Sequence, residues 1–448
     1  MPMISSSILS GIRIHSNKFK EIIAPYSRKK IGKIEILNSL TKKQIKQLSF
    51  YQNETTPEII IKKLSSFASI LSVKSLDIIK IAARETGSPI KYQTKDLDAA
   101  LKFLRNLHIL KTYERKEFRY QPKGRCLIIA SANQPILLTI FTIASAILSG
   151  NKVSFRPSTR TPLAASKIIK MFFKAGIPTS QLNMLTSSNE LTKQLIESKV
   201  FDMVLSFASN YVNTKIAQTC TLSGTEFYGE NEGYDWIYVD KQLPFTISYT
   251  VDLIIKGILK HNGQMCDSVR GVIVDPEIYD NLKKVLVDRL SQTIIGDPLS
   301  PKSDLGALLI NTNEGVNNIL IAHKANAKLV DKNILKLFEI TNLDTNLCQL
   351  APFAPIVWIY KSSDINEIIN KWNLVNPYRL SFSVYTSNKK IKAKFCEQIL
   401  AGRINLNCEH TAINVFDPLG GIPKSGFGGP HYWFEKLTNR KYINYGKN

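Results

Sequence analysis

Between positions 96 and 110, Leu97, Ala100, Leu101, Leu104 and Leu107 recur at three- and four-residue steps, the spacing that lines one face of an α-helix. A basic, polar stretch at 111–123 follows, and then a wholly apolar run at 126–130 that predicts a buried strand. An apolar helix is expected over 136–148, a turn at Gly150-Asn151, and a second strand over 152–155. The next helix carries its own punctuation. Thr161 is placed to cap it, Pro162 suits a first turn that needs no N–H, and Gly176 followed by Pro178 ends it. Further strands are expected at 184–186, 203–206, 236–239 and 271–274. This alternation predicts an α/β fold, a parallel sheet flanked by helices, with ligands at the carboxyl ends of its strands.

Length and composition narrow the class. A chain of 448 residues with 44% hydrophobic and 21% charged residues can build two or three domains, each with its own core. The apolar run at 136–148 is shorter than the ~20 residues of a membrane-spanning helix. The opening MPMISSSILSGIRIHSNK has neither a basic segment before an apolar run nor a small-residue cleavage site, so a cytoplasmic protein is expected. The six cysteines, at 126, 220, 266, 348, 396 and 408, include no CxxC pair, which argues against a zinc site and a disulfide framework. The net charge of +23 comes from lysines spread along the chain, and the runs Lys29-Lys30, Lys42-Lys43 and Lys389-Lys390 are short, so neither a nucleic acid nor a membrane partner is expected. No GxGxxG follows a strand and no GxxxxGK[ST] occurs, so any nucleotide is held in another way.

Cys266 closes the hexapeptide HNGQMC at 261–266, between an apolar amphipathic stretch at 251–259 and the strand at 271–274. Gly263 lets the backbone turn tightly and can present the sulfur at a loop tip. Taken alone, the hexapeptide leaves two readings open, a nucleophile and a small buried hydrophobe.

Here the sequence resembles the aldehyde dehydrogenase superfamily, from about residue 76 to the C-terminus. GQMC matches the family's GQxC nucleophile motif, and GRCLIIASANQP at 124–135 matches the strand and loop that carry its catalytic Asn. GNKVSFRPS at 150–158, followed by Thr161-Pro162, resembles the cofactor-binding strand and turn. IGDPL at 295–299 with SDLG at 303–306, and PLGGIPKSG at 418–426, resemble two further signatures, and the five occur in the family's order. The resemblance implies that Cys266 attacks an aldehyde to give a thiohemiacetal, which passes hydride to a nicotinamide cofactor and leaves a thioester for hydrolysis. It implies that Asn133 donates to the oxyanion. The family's general base maps best to Glu230, 36 residues before Cys266, with Glu226 the alternative at 40. Only Gly233 remains of the paired glycines that follow that glutamate. His261 has no counterpart among the family's catalytic groups, and Lys424 and Ser425 are assigned to packing.

Departures gather at the cofactor site. Arg156 stands in place of the usual Lys, and Thr159 replaces a Glu that in many members binds the ribose 2′-hydroxyl. Ser158 belongs to the same turn. Losing that carboxylate while gaining Arg156 and Arg160 favours NADP over NAD. Ser209 lies in the turn that receives the pyrophosphate, where Ala208 and Asn213 stand in place of two glycines, and Phe353 lies in a loop where Ala351 replaces a ribose-binding Glu. The resemblance also implies an architecture: a Rossmann-type cofactor domain over 1–229 with an oligomerising segment at 110–123, a catalytic domain over 230–425, and a C-terminal return strand over 426–448, assembling as a homodimer or homotetramer. Residues 1–70 match least well, and the helices there are the least defined. The expected activity is NAD(P)-dependent oxidation of an aldehyde, with an acidic semialdehyde suited to the cationic surface. Two alternatives stand beside it, a coenzyme A-dependent acylating or thioester-reducing enzyme, and a non-catalytic homologue serving as a binding partner.

Overall fold

The strands expected in the first half of the chain form the centre of a parallel sheet, β1 (Arg125–Ile129), β2 (Lys152–Arg156), β3 (Leu182–Met184) and β4 (Met203–Phe207), and a strand the sequence did not predict, β5 (Glu226–Glu230), lies beside β4. The structure is a computed structural model that describes residues 3–52, 55–107, 118–309, 327–329, 336–344, 351–411, 414–422 and 424–444. The chain divides into two compact units, the first comprising Met1–Gly229, Val415–Pro418 and His431–Asn448, the second Glu230–Asn414 and Leu419–Pro430. Among the described residues no helix is long and apolar enough to cross a membrane.

In the first unit the strand order is β5-β4-β1-β2-β3, continued by short strands at Ser7–Leu9 and Ile12–Ile14. The pairs β4·β1, β1·β2 and β2·β3 are parallel. Successive strands β1, β2 and β3 step outward in one direction, and β4 then returns to the far side of β1. The order therefore reverses between β1 and β4, where open α/β sheets bind their ligands. β3 lies slightly before the expected 184–186, because its pairing with β2 sets Val153 against Leu182 and Phe155 against Met184. The N-terminal segment departs further from expectation. Met3–Ser5, Phe19–Ile23 and Lys30–Glu35 form a separate three-stranded sheet, and helix begins only at Lys42.

Helices cover this sheet: α1 (Ser75–Thr86), α2 (Ile90–Arg105), α3 (Leu137–Leu148), α4 (Pro162–Lys174) and α5 (Asn210–Ser223). α2 begins ahead of the apolar stripe because its first turns bury polar groups: Gln93 donates to Thr86 Oγ1 at 3.1 Å, and Asp96 accepts from Gln134 at 3.2 Å. The cap of α4 is also tertiary. Thr161 makes no side-chain cap bond and donates instead to the carbonyl of Ala132 at 3.0 Å. The carboxylate of Glu85, buried at the end of α1, accepts the first-turn N–H groups of Leu163 and of Ala164, the latter at 2.9 Å. It satisfies two donors the helix cannot, at the positive end of the helix dipole. A two-stranded antiparallel ribbon joins Phe118–Pro122 to Thr438–Tyr442. The rest of the expected oligomerising segment, 110–117, and the last four residues of the expected return strand, 445–448, lie outside the described residues.

The second unit holds β6 (Asp235–Val239), α6 (Ile247–Leu259), β7 (Val269–Val274), β8 (Ile356–Lys361), β9 (Ser381–Tyr385) and β10 (Arg403–Leu406). Its sheet runs Ala327–Leu329, Lys336–Ile340, β8, β7, β6, β9, β10. One face packs on an aromatic cluster in which Trp236 meets Trp358 and Trp372 edge-on, at 5.1 and 5.4 Å between ring centres. A Cβ on Gly271 would fall 2.1 Å from the Trp358 ring, so only glycine lets that indole lie across β7. At the amino edge of the sheet, Asp235 pairs with Val269 and Ser381 with Arg403. The turn that carries Cys266 therefore enters the sheet on the same edge as these polar side chains.

Glu85→Ala is expected to lower the unfolding free energy by about 2–3 kcal/mol, since it strands two buried N–H donors, whereas Thr161→Ala is expected to cost at most about 1 kcal/mol. Urea denaturation of the two variants checks the contrast, and equal losses would place the cap on Thr161.

Candidate active site

Helix α6 ends against a run of left-handed backbone. His261, Asn262 and Gly263 have φ of +50°, +61° and +64° in succession, within a 3₁₀ turn spanning Lys260–Gly263. Each non-glycine residue in this region costs about 1–2 kcal/mol, so the surroundings must hold the turn. Asn262 does so with its whole amide: Oδ1 accepts from Gly306 N–H at 2.8 Å and Nδ2 donates to Ala307 O at 3.0 Å. Gln264 Oε1 accepts from Leu309 N–H at 3.1 Å. Buried Arg270 donates to the carbonyls of Gly263, at 2.6 Å, and Ala354, and burial pushes its guanidinium down to about 10. At Gly263 itself a Cβ would lie 2.7 Å from Pro355 Cα. Along 261–270 every residue is buried except Cys266, which is partly exposed. The turn predicted from HNGQMC is thus a clamped loop in which Cys266 alone is partly exposed. His261 is buried within it.

The Glu230 segment runs against this loop. Past the end of β5, Asn231 N–H donates to Ser425 O at 3.0 Å and Asn231 Nδ2 to Lys424 O at 2.9 Å, while Ser425 Oγ donates to Glu232 O at 2.9 Å. Lys424 thus acts through its backbone carbonyl, and Ser425 through both its carbonyl and its hydroxyl. The Glu232 carboxylate takes a hydrogen bond from Tyr378. A Cβ on Gly233 would stand 2.4 Å from the carbonyl oxygen of Cys266, so the lone remaining glycine is what permits this approach. Glu230 lies close enough for its charge to act on Cys266. Glu226, the alternative base, belongs to the first unit and forms an ion pair with Lys123 at 2.7 Å. Phe353 is an exposed residue of the loop before β8.

The setting of Cys266 is acidic. Burial, then the charges of Asp267, Glu230 and Asp235, push its thiol up, and Arg403 opposes them. Burial also pushes Asp235 up to about 6, against a hydrogen bond and charge from His410. Sequence reasoning passed over Asp235, Asp267, Arg403 and His410. The adjacency of Asp267 to Cys266 was the one available signal, since Arg403 and His410 are more than a hundred residues away.

The other expected site residues share one edge of the first unit's sheet. Ile129 pairs with Arg156 on one side and Ser206 on the other, so the loops after β1, β2 and β4 leave the sheet at one level, beside the switch point. They carry Asn133, then Ser158 and Thr159, then Ser209. Asn133 is buried, and its Oδ1 accepts from the Ser131 hydroxyl at 2.7 Å, which orients the amide with Nδ2 as the opposite, donating end. Arg156 ends β2 with Nε on Ser187 O at 3.1 Å and Nη2 on Asn189 Oδ1 at 2.7 Å, and burial pushes it down to about 10. Ser158 Oγ accepts from Arg160 N–H at 3.3 Å, and Thr159 is half-buried. Ser209 caps α5 by accepting from Val212 N–H, and the first turn of α5 holds no acid. Asn213 is buried beneath this turn and donates to the carbonyls of Ser206 and Ala208, both at 3.4 Å. The buried Ser206 hydroxyl has no hydrogen-bond partner among the described residues. An acid-free helix start, a fixed arginine and an orphaned hydroxyl at one edge of the sheet suit a phosphate-bearing ligand.

A sequence profile described as "Aldehyde dehydrogenase family" matches residues 15–443, which extends the likeness well before residue 76. A lactaldehyde dehydrogenase of Methanocaldococcus jannaschii is 26% identical over 94% of this chain and 96% of its own length. A 3-sulfolactaldehyde dehydrogenase of Priestia aryabhattai is 26% identical over 72% of this chain and 69% of its own length. Among solved structures, the glyceraldehyde-3-phosphate dehydrogenase GapN of Methanocaldococcus jannaschii, complexed with NADP, superposes with a TM-score of 0.88 at 25% identity, covering 95% of this chain and 99% of that one.

Gly233→Ala is expected to force the 231–233 segment and the Cys266 loop apart, at a cost of about 1–3 kcal/mol in unfolding free energy. Urea denaturation measures it, and a neutral result would show that the two backbones do not approach as closely as described.

Proposed function

The chain belongs to the aldehyde dehydrogenase family, and we propose that it oxidises a small anionic or hydroxylated aldehyde to the carboxylate, with Cys266 as nucleophile. The observation that carries this reading is the clamped loop at 261–266, in which left-handed backbone and three anchoring side chains, Asn262, Gln264 and Arg270, hold the one partly exposed residue, Cys266. A merely structural cysteine needs no such mounting.

In this reading the Cys266 thiolate adds to the carbonyl carbon and the carbonyl oxygen becomes an oxyanion. The backbone N–H of Cys266 and the Asn133 amide are its donors, and the bond from Ser131 to Asn133 Oδ1 favours that role, because it leaves the amide nitrogen as the donating end. A bound nicotinamide dinucleotide supplies the hydride acceptor. The resulting thioester is cleaved by water, with Glu230 as the base. Glu226 is less suited, being neutralised by Lys123. The first unit, with Arg156, Ser158, Thr159 and Ser209 on one sheet edge, is the cofactor domain, and the second unit, to which Phe353 belongs, is the catalytic domain. NADP is favoured over NAD because Arg156 and Arg160 are cationic where Thr159 carries no charge, and the 25%-identical relative holds NADP. An anionic substrate agrees with the net charge of +23 and with the sulfonated aldehyde for which one relative is named. Self-association through the Phe118–Pro122 and Thr438–Tyr442 ribbon, in the cytoplasm, completes the proposal.

Calorimetry with Cys266→Ala, which keeps thiol chemistry out, is expected to show NADP⁺ binding more tightly than NAD⁺. Binding of neither at millimolar concentration would overturn the dehydrogenase reading. With a productive aldehyde, Asn133→Ala is expected to lower kcat about 10²- to 10³-fold. Glu230→Gln is expected to give a burst of reduced cofactor equal to the enzyme present, followed by slow turnover, because thioester hydrolysis fails while its formation continues. Steady-state loss without a burst would remove Glu230 from the base role, and consumption of added coenzyme A in place of water would reassign the acceptor.

A further inference from the structure

Asp267 directly follows Cys266 and is buried, and a buried carboxylate beside a nucleophilic sulfur opposes the thiolate that the chemistry requires. One guanidinium answers it. Arg403 Nη2, from the first residue of β10, lies 3.0 Å from Asp267 Oδ2, and the same nitrogen donates to His410 O at 3.1 Å while Nε donates to Ser381 Oγ at 3.3 Å. The other carboxylate oxygen of Asp267 is buried with no hydrogen-bond partner among the described residues. Asp267 therefore depends on Arg403 for its compensation to an unusual degree.

We propose that Arg403 is a positioning residue for Cys266: by clamping Asp267 it fixes the residue that follows the sulfur and supplies the cation that offsets its charge. The inference rests on Cys266 as the nucleophile and concerns how that nucleophile is kept usable. The surroundings agree. Burial works to raise the Asp267 carboxyl, but Arg403 first, then Lys260 and His410, hold it below the usual carboxylate range. The charged and titratable groups acting on Cys266 are Asp267, Glu230 and Asp235 on one side and Arg403 on the other. Asp235 has partners of its own, Ser381 N–H at 3.1 Å and His410 Nε2 at 3.1 Å, and His410 Nδ1 sits 2.6 Å from Ser383 Oγ. The turn beyond His410 is tied by Lys260 Nζ to Thr411 O at 3.0 Å. That leaves Asp267 and Arg403 as the pair whose balance bears most directly on the sulfur.

The test is the pH dependence of Cys266 alkylation by iodoacetamide in the full chain, read at the Cys266 peptide by mass spectrometry so that exposed Cys396 and Cys408 do not contribute. It needs neither aldehyde nor cofactor. Arg403→Gln is expected to move the profile upward by about one pH unit, a roughly tenfold slower reaction at fixed pH below the midpoint. Asp267→Asn in the wild-type arginine background is expected to move it downward, and the double variant to return toward wild type, which loss of packing alone would not do. If Arg403→Gln does not fold, Asp267→Asn still decides, since an unmoved or upward profile overturns the proposal. A reactive Cys266 whose profile ignores both substitutions overturns this assignment alone. A wild-type Cys266 inert across the whole range overturns the nucleophile reading and this assignment with it.

Discussion

The close approach of two backbones, Gly233 against the carbonyl of Cys266, is the constraint on which the rest of the second unit's site depends. With 2.4 Å between that oxygen and any Cβ at position 233, no other residue can stand there without displacing one strand of chain. The approach places Glu230 where its charge reaches the sulfur, and it is maintained from both sides. Ser425 and the Lys424 carbonyl hold the 231–233 segment, and Asn262, Gln264 and Arg270 hold the Cys266 loop. Left-handed residues at 261–263 are affordable only because those bonds over-determine the turn.

Preorganisation of this kind has an electrostatic consequence. A loop buried enough to be rigid lies at the amino edge of a sheet where Asp235 and Asp267 are also buried, and acids in low dielectric hold a nearby thiol protonated. Each acid is paired with its own partner, His410 for Asp235 and Arg403 for Asp267, so that neither buried charge near the sulfur is left unopposed. The same economy appears in the first unit. A buried glutamate, costly in isolation, becomes the cap of the helix that follows the β2 loop, so the loop bearing Ser158 and Thr159 ends on a fixed point.

What the linear order of residues determined was the local hydrophobic period and the turn chemistry. The strands at 125–129, 152–156, 203–207, 235–239 and 269–274 were legible from the short, mostly apolar runs within them, and the end of α4 was legible from Gly176, whose φ is +87°. The tight turn before Cys266 was legible from a single glycine. The family resemblance rested on such short, strongly constrained pieces.

Tertiary structure decided everything that depends on partners distant in sequence. α2 began earlier than its apolar stripe because Gln93 and Asp96 are buried on hydrogen bonds that no periodicity reveals. The cap of α4 passed from Thr161 to Glu85 because a carboxylate from another helix satisfies two donors where one hydroxyl satisfies at most one. Glu226 is tied to Lys123 by an ion pair that its spacing from Cys266 does not reveal. Arg403 and His410 carried no local signature at all. Periodicity and turns are short-range consequences of backbone geometry and so can be read along the chain, whereas charge compensation and capping are set by distances across the fold.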